Sequence, residues 1–304
     1  MKSRAILSAA TFGLAATAGV AEAQCVTVES QVAPVVRLDP MDATGPAEVV
    51  QPLSLAFRRA NMGASDLVVH YQIVDEDSST RSRVGRAAGP LIEWRAEGSQ
   101  RDIGVFRSEA YALLRSAQIT LSEDELVGQQ SVTARFTNLR EDLPAGVYRE
   151  QFTVRYWCGP PDASLPYEAP GAIAVTVAVP NVLSVNVAGA SAGGAIDFMD
   201  FGLLSRTLQV SVRSTGPYQV TARSLNGGVM YREGAVTAGA LDRIPYAARL
   251  DGALLDPSGV TTRRMPRAGL GGRMLALEVE VEGVESVRAG DYADTLMIEL
   301  RPVN

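Results

Sequence analysis

The sequence predicts an all-β protein made of two tandem immunoglobulin-like β-sandwich domains, the second lacking its last strand. Three observations carry this expectation. Apolar and polar residues alternate with period two in run after run, the mark of strands with one buried face. Clusters of Gly, Pro, Asn, Asp and Ser separate those runs. A short phrase, Ala-Gly-x-Tyr, opens a strand at 145–148 and again at 289–292. Many short punctuated strands imply sandwiches or barrels, and two related sandwiches explain the repeated phrase.

In chain order, Lys2 and Arg4 precede the apolar run ILSAATFGLAATAGV, which ends in Ala21-Glu22-Ala23. A positive start, an apolar middle and small residues at the end form a secretory signal over residues 1–23, leaving Gln24 as the mature N-terminus. The run is too short to span a membrane, and Gln24 before Cys25 speaks against a lipoprotein. No later segment approaches ~18 consecutive apolar residues. Loss of Lys2, Arg4 and Glu22 moves the formal charge from −6 to −7. No basic stripe stands out, which argues against a nucleic-acid partner. Every remaining cation is arginine, and nothing in the fold explains that. The two cysteines, Cys25 and Cys158, read as a disulfide in an exported chain.

Residues 24–180 form the first predicted domain. Its alternating runs are LSLAF (53–57), VTARF (132–136), FTVRY (152–156) and IAVTV (173–177). The stretch SEAYALLRS (108–116) has a capping serine and helical apolar spacing, and predicts a short helix or turn. CGPPDASLPYEAPGA (158–172) reads as a loop, and the boundary falls near Val179 and Pro180. Residues 181–304 form the second domain, with LSVNV (183–187), LQVSV (208–212), LALEVEV (275–281) and LMIEL (296–300). Residues 54–73 and 208–223 rhyme loosely as strand, polar turn, strand.

The two copies of the phrase share a phase. Tyr148, Phe152, Val154 and Tyr156 have one parity, as do Tyr292, Leu296, Ile298 and Leu300. Gly146 and Gly290 provide the tight entry into the strand. Each tyrosine is expected to tie its hydroxyl to the preceding loop backbone.

Catalytic sets are missing. Gly-Ala-Ser-Ala-Gly at 189–193 fits G-x-S-x-G, but a nucleophile elbow needs a strand–turn–helix context and a later histidine. The only histidine, His70, lies upstream in a strand. One histidine and a paired cysteine couple do not make a zinc site. The carboxylates at 75–77 and 123–125 read as solvated turns, and Trp94 and Trp157 as packing residues. No enzyme activity, cofactor or metal is expected.

About seven strands close an immunoglobulin-like sandwich. The second domain offers about six clear ones, and the run 293–301 comes last. A hydrophobic strand beside an unfilled position is an aggregation hazard unless covered, and strand addition from another chain covers it.

With those residues in view, the C-terminal half resembles the spore coat protein U domain of archaic chaperone–usher pilus subunits. The resemblance rests on Phe201-Gly202, on the turn at Gly216-Pro217-Tyr218, on IPYAARLD (244–251), and on Gly290, Tyr292, Asp294 and Thr295 leading into the last strand. The first domain shares only the Ala-Gly-x-Tyr strand, with Glu150 and Gln151 in place of Asp-Thr. The resemblance implies an incomplete pilin-type sandwich completed by a donor strand from the next subunit. It implies a periplasmic chaperone and an outer-membrane usher during assembly. Leu296, Ile298 and Leu300 would line the donor-strand groove. A Cys25–Cys158 bond would tether the N-terminus, so the chain could accept a strand but not give one. That implies a tip subunit at the cell surface, secreted through the periplasm, mediating attachment or biofilm formation. By analogy with related tip subunits, the outer loops at 81–104 and 160–170 would make the contacts. The competing readings are a two-domain periplasmic pilus chaperone and a secreted sandwich that binds or hydrolyses carbohydrate.

Overall fold

Alternation in the sequence becomes strand after strand in the computed structural model, which describes residues 24–30, 35–41, 48–63, 65–76, 83–85, 89–106, 115–139, 142–187, 195–198, 204–234 and 239–303. The expected signal peptide (1–23), the 189–193 loop, Phe201-Gly202 and most of the 108–116 candidate helix lie outside these residues.

Ten strands make the first sandwich: β1 (Val26–Ser30), β2 (Val36–Arg37), β3 (Val49–Arg59), β4 (Leu67–Asp75), β5 (Leu91–Ala96), β6 (Gly104–Phe106), β7 (Ala117–Leu121), β8 (Val127–Thr137), β9 (Gly146–Trp157) and β10 (Tyr167–Val179). One sheet runs β1-β3-β8-β5; the other runs β2-β10-β9-β4-β6, with β7 also on β4. Alternate residues meet between the sheets. Leu53, Leu55 and Phe57 of β3 and Val132, Ala134 and Phe136 of β8 face Tyr71 and Ile73 of β4, Phe152, Val154 and Tyr156 of β9, and Ile173, Val175 and Val177 of β10. Each fully buried large side chain contributes about 1.5–3 kcal/mol. Phe57 packs on Tyr71 with centroids 5.0 Å apart, and Trp94 meets Phe152 edge-on at 5.1 Å. The Tyr156 hydroxyl donates to Val26 O at 2.8 Å.

The second sandwich also has ten strands, more than the six clear runs of the sequence: β11 (Leu183–Val187), β12 (Ser205–Ser214), β13 (Tyr218–Ser224), β14 (Val229–Arg232), β15 (Arg243–Leu250), β16 (Ala253–Leu255), β17 (Ser258–Met265), β18 (Gly269–Val281), β19 (Tyr292–Ala293) and β20 (Leu296–Pro302). One sheet runs β11-β12-β18-β15-β14-β19, with β16 on β15; among the described residues the facing sheet is β17-β13-β20. A separate core lies between them, built on Val210, Val212, Tyr218, Val220, Ile244, Leu250, Leu275 and Val281.

Three expectations need correction. The loop expected over 158–172 is shorter, because β10 begins at Tyr167 and absorbs its Pro and Gly through a register shift between Ala169 and Ile173. Asp75 is buried at the end of β4, not solvated in a turn, because β6 pairs alongside it. The second copy of the repeated phrase does not continue as one strand: β19 stops at Ala293 and β20 starts at Leu296. Asp294 and Thr295 are diverted there to other bonds, described below.

Candidate functional site

The repeated phrase forms the same corner twice. The Tyr148 hydroxyl donates to Pro144 O at 2.6 Å, and the Tyr292 hydroxyl donates to Arg288 O at 2.7 Å, each four residues back. Gly146 and Gly290 enter their strands at φ +159° and +148°. A Cβ at Gly290 would come within 2.9 Å of Arg232 Cδ, whereas one at Gly146 would meet nothing within 4 Å.

Beyond the corner the copies diverge. In the first, β9 is paired on both sides, by β10 and by β4. In the second, β20 is paired by β13 alone. Across the sandwich, β11 is paired by β12 alone. Among the described residues, nothing pairs with the outer edge of either strand.

Side chains record the gap. Residues directly opposite in an antiparallel pair lie on the same face of the sheet. Leu296, Ile298 and Leu300 sit opposite Ser224, Ala222 and Val220, all buried core positions. The three β20 side chains point the same way yet are only half-buried. Likewise Leu183, Val185 and Val187 of β11 sit opposite Ser214, Val212 and Val210. Val212 is fully buried while Val185 is 41 % exposed. Six inward apolar side chains thus line two unpaired edges of one sandwich. Sequence reasoning named the β20 set; it missed β11 as the opposite wall. The alternation of LSVNV held that signal, once β11 was recognised as the first strand of its domain.

Polar groups fix β20 at both of its ends. At the end nearer the first sandwich, Asn181 Nδ2 donates to Pro217 O at 3.0 Å and to Val303 O at 2.6 Å. At the other end the Asp294 carboxylate accepts from Ser224 Oγ at 2.5 Å and from the Tyr246 hydroxyl at 2.7 Å. Burial, reinforced by that carboxylate, pushes the Tyr246 hydroxyl above its ordinary value. Ser224 Oγ in turn accepts from Asn226 and Gly228 N–H, and Thr295 O accepts from Leu225 N–H at 3.0 Å. Asp294 and Thr295 therefore fix the entry to β20 and do not line its edge.

In the first sandwich, Cys25 and Cys158 form a disulfide with Cα atoms 6.0 Å apart. It ties the start of β1 to the end of β9. Trp94 and Trp157 are both fully buried, as packing residues. His70 is half-buried in β4 opposite Trp157. Among the described residues, no group of three or more His, Cys, Asp or Glu is placed to hold a metal ion.

No known family profile matches the chain, and no curated protein matches it in sequence. Solved structures give weak likenesses. The CupB6 tip adhesin from Pseudomonas aeruginosa is 14 % identical, with 90 % of this chain and 94 % of that one covered and a TM-score of 0.46. A chain of the CsuC–CsuE chaperone–tip subunit complex from the archaic Csu pili of Acinetobacter baumannii is 11 % identical, with 90 % and 99 % covered and a TM-score of 0.39. CfaE, the adhesive subunit of CFA/I fimbriae of enterotoxigenic Escherichia coli, is 10 % identical, with 91 % and 81 % covered and a TM-score of 0.40. At these TM-scores the likeness carries no functional argument, which rests on the chain's own edges.

Proposed function

We propose that this chain is a non-enzymatic tip subunit of an archaic chaperone–usher pilus, and that its second sandwich accepts a β-strand from the next subunit between β11 and β20. The observation that carries the reading is the pair of edges, unpaired among the described residues, that are lined by six inward, incompletely buried apolar side chains. An inserted strand would pair with the β20 edge and bury those side chains, at about 25 cal/mol per Å² of apolar surface. Before assembly, a periplasmic chaperone would cover the same edge and an outer-membrane usher would exchange it. The signal expected over 1–23 supports export along that route.

The first sandwich supports the tip position. Its first strand, β1, is paired to β3 and tied by the disulfide to β9. β1 is thus committed to its own domain and not available for donation. The sandwich is sealed by its own β10. At the end remote from the second sandwich, three turns are stapled together. The Arg59 guanidinium donates to Ser122 O, Glu123 O and Ser65 O, and Ala60 N–H donates to Cys25 O. These turns and the neighbouring 158–166 loop carry Met62, Leu126 and Leu165, which are 59, 50 and 70 % exposed. Apolar tips held on a rigid frame suit attachment to an apolar surface, and such attachment would serve biofilm formation. Of the loops first favoured, 160–170 partly belongs to this end. Gly85 and Gly89, within 81–104, do not, since both pack on Tyr148 beside the second sandwich.

Thermal unfolding of the full chain with a synthetic peptide copying residues 172–179 (AIAVTVAV) tests the reading. The second sandwich should gain about 2.7 kcal/mol at a hundredfold excess over Kd. A scrambled peptide should do nothing. Equal behaviour of the two peptides would overturn the strand-acceptor reading.

A further inference from the structure

The junction between the two sandwiches is a template for a second junction that the chain leaves open. Strand β10 completes the first sandwich, runs antiparallel to β9 and passes through 180–182 into β11. The strand that seals one sandwich is therefore continuous with the first strand of the next. A strand donated beside β20 would stand in the same relation to the subunit that gives it.

Around the existing crossing, the loop before the first Ala-Gly-x-Tyr docks on the second sandwich. Ala145 N–H donates to Thr215 O at 2.8 Å. The Asp142 carboxylate pairs with Arg267 and accepts from Leu270 N–H at 2.8 Å, and Asp142 O accepts from Arg267 Nη2 at 2.9 Å. Buried Leu143 and the Tyr148–Pro144 bond hold the loop in place. The receiving pole is cationic, with Arg213 and Arg264 exposed beside Arg267.

The same loop recurs at the opposite pole of the second sandwich. Strand β18 runs from Gly269, against Asp142, to Val281 at that far pole. There Val287 packs on the core as Leu143 does, and Tyr292 holds Arg288 O as Tyr148 holds Pro144 O. Glu285, Ser286, Arg288 and Ala289 are exposed, the last in the place of Ala145. Exposed Glu233, Glu282 and Asp291 share this pole, with Glu233 N–H donating to Asp291 O. Three arginines also lie here: Arg232 and Arg288 pair with the buried Asp242, and Arg243 stacks over Tyr231. Of these described side chains five are carboxylates and three are guanidinium groups, so the face they form is acidic.

We infer that the pole formed by residues 282–291 and Glu233 is the docking face for the strand-donating subunit, which meets it with an arginine-bearing pole like that of the second sandwich. This rests on the strand-acceptor reading above. By the β9–β10 template, the C-terminal end of a bound donor strand emerges at this pole and its N-terminal end lies near Asn181 and Val303.

Three peptides test it on the full chain: AIAVTVAV, the same peptide with two arginines added at its C-terminus, and the same with two arginines at its N-terminus. The C-terminal extension should tighten binding about tenfold at low salt, as two exposed ion pairs would. The gain should vanish in high salt and in the E285Q/D291N double variant, which should bind the unextended peptide as before. If both extended peptides bind equally, or the variant keeps the gain, the docking face is wrong while the groove stands. If no peptide binds, the groove fails and the docking face falls with it.

Discussion

Strands β9 and β20 begin with the same phrase and the same tyrosine corner, yet they end in different states. Phe152, Val154 and Tyr156 of β9 are fully buried, while Leu296, Ile298 and Leu300 of β20 are half-exposed. The residue types do not account for this, since both sets are large and apolar. The difference is a second neighbour: β9 lies between β4 and β10, whereas β20 has β13 on one side and, among the described residues, nothing on the other. Burial of a strand's inward face is thus a property of its pairing on both sides as well as of its own alternation.

Several substitutions would break or sharpen that comparison. The largest effect should come from removing the disulfide, with C25A/C158A. Closing a loop of over 130 residues is worth about 4–5 kcal/mol in the chain-entropy model. Only the first sandwich should lose stability, seen as a shift of one of two unfolding transitions in denaturant. Next, truncation of matched inward residues should be unequal. V154A should cost about 2–3 kcal/mol, as a core cavity does. I298A should cost about 1 kcal/mol without a donor peptide and more with one. Equal costs without peptide would mean that β20 is already enclosed.

Gly290→Ala should cost about 1–2 kcal/mol, because φ is positive and Arg232 stands in the way, while Gly146→Ala should cost less. Tyr148→Phe and Tyr292→Phe should each cost about 0.5–1.5 kcal/mol, the Tyr292 hydroxyl sharing its donation between Arg288 O and Leu241 O at 3.1 Å. The similarity of those two values would show that the corners are equivalent although the strands after them are not. The smallest effect concerns acid. The Arg232 hydrogen bond holds the Asp242 carboxyl below the usual carboxylate range. A depressed folded value stabilises above the unfolded one. The contribution of Asp242 should therefore be complete above about pH 4 and fade as pH falls further through its lowered folded value. D242N should flatten that part of the acid profile of the second sandwich.

Much of this is legible in the sequence. All eight alternating runs fall inside strands, because a half-buried strand must alternate. The cysteine pair depends on residue type and the tyrosine corners on a four-residue spacing, which a sequence displays directly. Contacts between distant segments were harder to read. The burial of Asp75 depends on β6, some 30 residues later, and the break at Asp294-Thr295 depends on Ser224 and Tyr246. The β11 wall of the groove depends on which face of that strand looks across the sandwich. The exposed tips Met62, Leu126 and Leu165 share one end only because Arg59 and Cys25 gather their turns.

The measurement that bears most directly on the account is amide hydrogen exchange on the full chain, with and without the donor peptide. Amides of β9 should be slow to exchange in both conditions. Those of β11 and β20 should exchange quickly alone and become protected when the peptide is added. Protection of β20 equal to that of β9, with no peptide present, would mean that the second sandwich is already sealed and accepts no strand.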